Sequence, residues 1–238
     1  MGKLVATLWL AVVLGVTFPL GYSLGVLVLV ATLPFDARRR WVHRFLSAWC
    51  HQWLRCWPWW RARVSGRGRL PRGPCVLVAN HQSMADILAL MGLGAPFKFV
   101  AKASLFSVPF LGWIMRQMRY VPLERGRFKS TDTMLKSCLE LLDGGDAVLI
   151  FPEGTYAPRA RRLPFRRGAF HLAQLRQVPL VPIVVRGTSE LVFEDGPWFS
   201  FAGDVHVEVM EPLHPPPPGA DLSGWIAEIE TLYAGWLA

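Results

Sequence analysis

The first strong pattern in the chain is an apolar run near its N-terminus. Leu4 to Leu33 contains no charged residue, and as a straight helix it would be roughly 45 Å long, longer than a hydrocarbon core of about 30 Å. Pro19 lies in the middle and is expected to break or kink such a helix. The run predicts membrane attachment, either as one kinked or tilted span or as two short re-entrant helices. A buried pair of core helices is the alternative; a cleaved signal peptide fits less well, because the run is too long.

A second helical pattern covers Trp41 to Trp60. Its apolar positions recur at roughly helical spacing and are rich in tryptophan, whereas His, Arg, Ser and Gln fill the other side. A Trp-rich face opposite arginine is typical of a helix that lies in the headgroup layer of a membrane. A helix packed on the core of the domain is the alternative. The basic stretch continues to Arg72, which favours the interfacial interpretation.

From residue 73 onward, short apolar runs alternate with helical patterns, separated by Gly, Pro and polar residues. This alternation predicts an α/β fold with a mixed sheet flanked by helices. We therefore divide the chain into an N-terminal anchor, residues 1–72, and a domain, residues 73–238. The predicted strands are 75–79, 97–101, 119–123, 147–151, 180–185 and 205–210, and the predicted helices are 84–93, 109–117, 128–142, 168–176 and 221–237.

Charge is distributed unevenly along the chain. The net charge is +9, yet residues 1–72 carry a single acid and residues 187–238 carry no Lys or Arg. A basic N-terminal half indicates an anionic partner, either nucleic acid or anionic lipid. Arginines that directly follow the apolar run predict that the rest of the chain is cytoplasmic, on the inner face of the membrane. None of the four cysteines forms a C-x-x-C pair, so we expect neither a disulfide framework nor a metal site.

The candidate chemistry begins at Asn80 to Asp86, between a predicted buried strand and a predicted helix. His81 and Asp86 are five residues apart. If the helix begins near Ser83, the Asp86 carboxylate can accept a hydrogen bond from one imidazole nitrogen and leave the other as a general base. Ser83 is either a nucleophile or, more simply, a helix N-cap.

Further polar groups follow other predicted strands. Glu153 lies between Pro and Gly after the strand at 147–151, where packing does not explain a carboxylate. Lys102 and Arg125 follow two more strands and would form an anion pocket if they converge, or lie exposed in loops if they do not. Five arginines downstream of Glu153 either bind phosphate or lie in a solvated loop: Arg159, Arg161, Arg162, Arg166 and Arg167.

Together these blocks resemble the glycerolipid acyltransferase family, in particular its 1-acyl-sn-glycerol-3-phosphate acyltransferases. Asn80 to Asp86 matches an N-H-x-S-x-x-D block, and Phe151 to Thr155 matches F-P-E-G-T. Lys102 to Arg125 and Val178 to Ile183 resemble the second and fourth blocks. The matches cover residues 75–185 in the family's order.

The resemblance implies a direct acyl transfer without an acyl-enzyme and without a cofactor or metal. His81, oriented by Asp86, would deprotonate the sn-2 hydroxyl of lysophosphatidic acid, and the alkoxide would attack acyl-CoA or an acyl carrier protein thioester. The resemblance assigns Glu153, Gly154 and Thr155 to positioning the acceptor, Lys102 and Arg125 to its phosphate, and a structural role to Ser83.

One departure from the family pattern concerns the acceptor. Tyr156 stands where many members have Arg, which puts one phosphate contact in doubt unless Arg159 or Arg161 replaces it. Another lysolipid, such as a lyso-ornithine lipid, is the competing acceptor. Outside the acyltransferases, the alternatives are a non-catalytic membrane-surface scaffold, a nucleic-acid-binding protein and a Ser83-dependent hydrolase.

Overall fold

The fold is known from a computed structural model, which describes residues 2–56, 59–155, 163–191, 200 and 202–237. Within this part of the chain, eight α-helices and seven strands alternate as the sequence predicts for a mixed α/β fold. The helices are α1 Gly2–Thr32, α2 Arg40–Trp53, α3 Ala85–Leu90, α4 Leu111–Gln117, α5 Phe128–Asp143, α6 Gly168–Arg176, α7 Thr188–Leu191 and α8 Ser223–Trp236. The strands are β1 Trp60–Ser65, β2 Val76–Ala79, β3 Phe97–Lys102, β4 Val121–Leu123, β5 Ala147–Ile150, β6 Leu180–Arg186 and β7 Gly203–Val209.

The strands form one sheet in the order β1-β7-β6-β2-β5-β3-β4. The five strands from β6 to β4 are parallel, and β7 is antiparallel to β6. All five parallel strands therefore end at the same side of the sheet, which we call the carboxyl edge; the opposite side is the amino edge. The central strand β2 lies between β5 and β6, so the residues that follow β2 meet the residues that follow both neighbours.

Alternate residues of β2 supply two hydrophobic cores, one on each face of the sheet. Leu77 and Ala79 belong to the core shared with α2, α3 and α4, whereas Val76 and Val78 belong to the core shared with α5, α6 and α8. Because side chains alternate along a strand, a strand covered on both faces is apolar throughout. That is why β2 appears in the sequence as a continuous apolar run.

The apolar N-terminal run forms one continuous helix, not two. α1 extends from Gly2 to Thr32 with Pro19 inside it. The alternative prediction of two short re-entrant helices within this run is therefore wrong. Its segment Leu4–Thr32 has the length and apolar composition of a membrane span. Many of its large apolar side chains are exposed, among them Leu8, Val12 and Val16, which argues against the alternative of a buried core helix.

The tryptophan-rich helix is shorter than predicted and packs on protein along most of its length. α2 ends at Trp53, and Trp60 begins β1 instead. The indole N–H groups of Trp49 and Trp53 donate to the carbonyl and the hydroxyl of Thr17 in α1, at 3.2 and 2.9 Å. The opposite face of α2 is buried in the core, as the alternative interpretation expects. Contact of its remaining exposed side chains with lipid headgroups stays a prediction.

Strand β1 was not predicted, because its arginines fit a continuing basic stretch. Arg61 and Arg63 alternate with less exposed residues along the strand, and β1 pairs in parallel with β7 at the end of the sheet. The sheet therefore begins at Trp60, within the segment that the sequence analysis assigned to the N-terminal unit. The short helix α7 was also missed.

Helix α8 fixes the position of β2 through one buried hydroxyl. Tyr233 donates to the carbonyl oxygen of Val78 at 2.7 Å and accepts from the N–H of Ile183 at 3.0 Å. The hydroxyl thus contacts both β2 and β6, three residues before His81. The C-terminal helix α8 is consequently attached to the strand that carries the candidate site.

We expect Tyr233→Phe to lower the free energy of unfolding by about 1–3 kcal/mol, because two buried backbone groups lose a partner. Tyr120→Phe is the matched control, since Tyr120 is also buried and its hydroxyl has no partner among the described residues. Denaturant unfolding of both variants in the same detergent measures the difference. Equal losses in the two variants would show that the Tyr233 hydroxyl contributes nothing specific.

Candidate active site

The site lies at the carboxyl edge, where the backbone leaves β2. Asn80, the first residue after β2, is buried and hydrogen-bonds both backbone groups of Val185 in β6: its amide donates to the carbonyl at 2.8 Å and its side-chain oxygen accepts from the N–H at 2.8 Å. The side chain therefore extends the pairing of β2 with β6 beyond the end of the strand. This pairing fixes the position of the next residue, His81.

The predicted hydrogen bond between His81 and Asp86 is present. Nδ1 of His81 lies 2.8 Å from Oδ2 of Asp86, which is in the first turn of α3. Both side chains are buried, and that of Asp86 is completely inaccessible. With Nδ1–H donated to a carboxylate, Nε2 is the nitrogen able to accept a proton.

Asp86 is held by three further donors. The N–H groups of Gln82 and Ser83 donate to Oδ2 at 2.6 and 2.9 Å, and the hydroxyl of Thr188 donates to Oδ1. Four donors satisfy a carboxylate that has no access to water, which is the condition for burying its charge. Thr188 is the first residue of α7 and is separated from the end of β6 by Gly187 alone. Sequence reasoning missed it because nothing near it in the chain indicates the contact.

The imidazole of His81 is also packed against the F-P-E-G-T segment. The ring of Phe151 stacks on it with centroids 4.1 Å apart, and Oε1 of Glu153 accepts from the His81 backbone N–H at 3.4 Å. Glu153 and His81 lie 72 residues apart in the chain, and the adjacency of β2 and β5 brings them together. The stacked ring restricts the imidazole to one orientation.

Glu153 has an unusual protonation equilibrium. Burial raises the pKa of its carboxyl to about 7; the hydrogen bond from the His81 backbone lowers it, and the negative charge of Asp86 raises it further. The side chain is therefore partly protonated at neutral pH, and in that form it can donate a hydrogen bond as well as accept one. Carboxyl groups with such pKa values are concentrated at functional sites.

A pair of arginines lies beside this carboxyl group. A Cβ at Gly154, whose φ is +74°, would lie 2.5 Å from Nε of Arg166, so glycine permits the close approach of that guanidinium. Burial and the positive charge of Arg166 both lower the pKa of Arg125, so the two cations are close together. In the described part of the chain, neither forms an ion pair with a carboxylate, which leaves both for an anion.

The remaining predicted site residues in the described part of the chain are Lys102, Thr155 and Ser83. Lys102 is exposed at the end of β3, opposite Leu123, and it has no hydrogen bond or ion pair within the described ranges. Thr155 is half-buried directly after Gly154. The hydroxyl of Ser83 accepts from the N–H of Ala85 at 3.2 Å, a local bond at the start of α3. Tyr156, Arg159, Arg161 and Arg162 lie outside the described residues.

The described residues contain no cluster of three or more His, Cys, Asp or Glu side chains suited to a metal ion. The groups that do converge are an imidazole oriented by a carboxylate, a half-buried carboxyl and two unpaired guanidinium groups. They can remove a proton, donate a hydrogen bond and hold an anion.

Comparison with known proteins agrees with this arrangement. The sequence model described as Acyltransferase matches residues 61–186. A chloroplastic 1-acyl-sn-glycerol-3-phosphate acyltransferase of Brassica napus is 38% identical over 76% of this chain and 53% of its own length. A 1-acyl-sn-glycerol-3-phosphate acyltransferase of Pseudomonas aeruginosa is 31% identical over 87% of this chain and 79% of its own. The chain thus spans about half the length of the plant relative.

A solved structure has the same fold. The crystal structure of the 1-acyl-sn-glycerophosphate acyltransferase from Thermotoga maritima superposes with a TM-score of 0.75 at 25% identity, covering 98% of this chain and 94% of that one. The matched residues 61–186 include His81, Asp86, Arg125 and Glu153. On the sequence match, the relatives and the shared fold, this chain belongs to the acyltransferase family.

Proposed function

We propose that the protein transfers a fatty acyl group from an acyl thioester to the sn-2 hydroxyl of lysophosphatidic acid, which yields phosphatidic acid. The observation that carries the proposal is the His81–Asp86 pair at the carboxyl edge, next to Glu153 and two unpaired arginines. The printed names of the relatives, 1-acyl-sn-glycerol-3-phosphate acyltransferases, support the same acceptor.

In the proposed mechanism His81 is the general base. Nε2 takes the proton of the acceptor hydroxyl while Asp86 stabilises the imidazolium through Nδ1–H. The acceptor oxygen attacks the thioester carbonyl carbon; the new C–O bond forms, the C–S bond breaks and the thiolate leaves. The imidazolium then returns the proton to the departing sulfur. No side chain is acylated in this scheme, which agrees with the local bond of the Ser83 hydroxyl.

Arg125 and Arg166 would bind the phosphate of the acceptor. Guanidinium groups hold phosphate with paired hydrogen bonds, and Arg166, which approaches Gly154 closely, can supply the charge that Tyr156 does not. This arrangement favours a phosphate-bearing acceptor over a lyso-ornithine lipid. Glu153, Gly154 and Thr155 would position the glycerol, and exposed Lys102 would contribute long-range attraction for the anion.

The donor is acyl-CoA or an acyl carrier protein thioester. The segment Val178–Ile183, which resembles the fourth block of the family, lies at the start of β6, and Leu180, Val181 and Ile183 are fully buried, so we assign it no contact with the acyl group. Membrane attachment through α1 suits an acceptor and a product that both reside in a bilayer. Arg38, Arg39 and Arg40 follow α1 directly, which favours placing the domain on the cytoplasmic face of the membrane.

We expect His81→Ala to lower kcat by about 10²–10⁴-fold, the usual contribution of general-base catalysis. The full chain in detergent is supplied with lysophosphatidic acid or a lyso-ornithine lipid, and with each of the two acyl donors, and the products are identified by mass spectrometry. Ser83→Ala is the control and should retain most of the rate. Unchanged transfer by His81→Ala would rule out the mechanism, and product from the lyso-ornithine lipid alone would rule out the acceptor.

We expect Thr188→Val to lower kcat by roughly 10- to 100-fold with little change in KM, because a hydrogen bond to a charged group contributes about 1.5–3 kcal/mol. Thr188→Ser should restore most of the rate, since it returns the hydroxyl. Ser47→Ala, which removes a buried hydroxyl bonded to His43 and remote from the site, is the control for stability. Equal kcat in the Val and Ser variants would mean that the hydroxyl does not position Asp86.

We expect Glu153→Gln to stabilise the fold at high pH. The carboxyl has a pKa of about 7 when folded and 4.5 as its ordinary value, so the wild type loses stability as the pH rises between these values. The variant should therefore match the wild type below pH 4.5 and exceed it above pH 7, by about 1–2 kcal/mol after allowance for solvent screening.

Unfolding by denaturant across this pH range measures the effect. Glu140→Gln, at an exposed position of α5, is the matched control and should show no such divergence. A Glu153→Gln curve that stays parallel to the wild type from pH 4 to pH 8 would contradict the raised pKa.

A further inference from the structure

A second cavity lies at the amino edge of the sheet, on the opposite side from His81. It has a volume of about 720 Å³ and lies between α2 and the starts of β2, β3 and β5. We call it the arginine cavity, because four arginines line it: Arg40, Arg44, Arg67 and Arg72. The proposed reaction uses none of these residues.

The charge of this cavity is not balanced by its own walls. Among the described residues that line it there is no Asp or Glu. Arg40 pairs with Asp146 at 3.2 Å and Arg67 donates to the carbonyl oxygen of Gly92, so these two are fixed by the protein. Arg44 and Arg72 have no carboxylate partner in the described part of the chain. Both are exposed to solvent, so they are accessible to an anion, which their charges attract into the cavity.

Two histidines also line the cavity, His43 and His51. His43 is fully buried, and its Nε2 has no hydrogen-bond partner within the described residues. Because this nitrogen is inaccessible to solvent, His43 forms part of the wall and is not itself a contact for a ligand. Burial lowers the pKa of His51, the hydrogen bond with the Leu88 backbone raises it, and the positive charges of Arg55 and of Arg67, which lines the cavity, lower it further. Its imidazole lines the same cavity, so its environment changes when an anion enters.

We propose that the arginine cavity binds a phosphate group of a ligand other than the acceptor at His81. Its volume is that of a typical small-molecule site, and arginine is the residue best suited to phosphate. The phosphate has two possible sources. It can belong to a phospholipid headgroup, since α2 packs on the apolar helix α1, or to a soluble nucleotide such as the one carried by an acyl-CoA donor.

The test uses the full chain in maltoside micelles, which contain no phosphate. Three probes are titrated separately: dioctanoyl phosphatidic acid, adenosine 3′,5′-bisphosphate and inorganic phosphate. Binding is followed by the NMR signals of the His51 imidazole, assigned with His51→Gln, because that imidazole lines the cavity. Acyl transfer is measured in parallel, so that a failure here is distinct from a failure of the proposed function.

We expect R44Q/R72Q to weaken binding at least about tenfold, because it removes charge-assisted hydrogen bonds. R61Q/R63Q removes the same charge from β1 and should change binding less than about twofold. A response to the lipid alone assigns the headgroup, a response to the bisphosphate alone assigns the nucleotide, and a response to all three assigns phosphate in general. No response to any probe, or equal weakening in both double variants, overturns the proposal.

Discussion

The carboxylate of Asp86 is the group on which the site depends. It is inaccessible to water, and a buried charge of this kind is tolerated only when its lone pairs are satisfied. The donors come from the loop after β2, from His81 and from Thr188, which lies 102 residues after Asp86 in the chain. A single buried charge therefore joins the end of β2, the start of α3 and the start of α7. The orientation of His81 is a consequence of that bonding, not a separate feature.

The strand order explains why the functional groups meet. β2 lies between β5 and β6, and all three are parallel, so the segments that follow them emerge side by side at the carboxyl edge. Glu153 comes from the segment after β5 and Thr188 from the segment after β6, on either side of His81. The Tyr233 hydroxyl and the Asn80 side chain bind β2 to β6 just before this point. A rigid sheet thus positions loops that are irregular in themselves.

The features that could be predicted are those that depend on residues close together in the sequence. His81 and Asp86 are close enough in the chain for their contact to be foreseen, and Glu153 was unexpected in a turn unless it had a function. Nearly all the strands and helices after residue 73 were predicted, because their apolar runs and breakers are local signals. β1 was missed because Arg61 and Arg63 look like part of a continuous basic stretch. The alternation of exposed and less exposed residues is evident only once β1 is paired with β7. Thr188 and Arg166 were missed as neighbours of Asp86 and Arg125 because those contacts depend on the sheet order, not on spacing.

The N-terminal helices are attached to the sheet by polar groups as well as by packing. Lys98 is fully buried in β3 and donates to the carbonyl oxygens of Arg38 and Met118, at 2.6 and 3.0 Å. Burial lowers the pKa of its ammonium group to about 8. Removing the charge from water is unfavourable, and the two hydrogen bonds and the nearby negative charge of Asp146 offset part of that free energy. Such bonds are directional, so they fix where the turn between α1 and α2 lies at the amino edge.

That attachment has a consequence for the opposite edge. If α1 inserts into a bilayer, the sheet cannot rotate independently of it, because Lys98 and the Arg40–Asp146 pair hold the turn after α1 against β3 and β5. The direction in which the strands point, and hence the position of His81 relative to the lipid surface, is then set by the anchor. If the acceptor stays in the membrane, as the proposed function requires, this constraint fixes the distance from which it must reach His81. The buried lysine, which adds no chemistry to the site, would then act on the reaction through the position of the sheet.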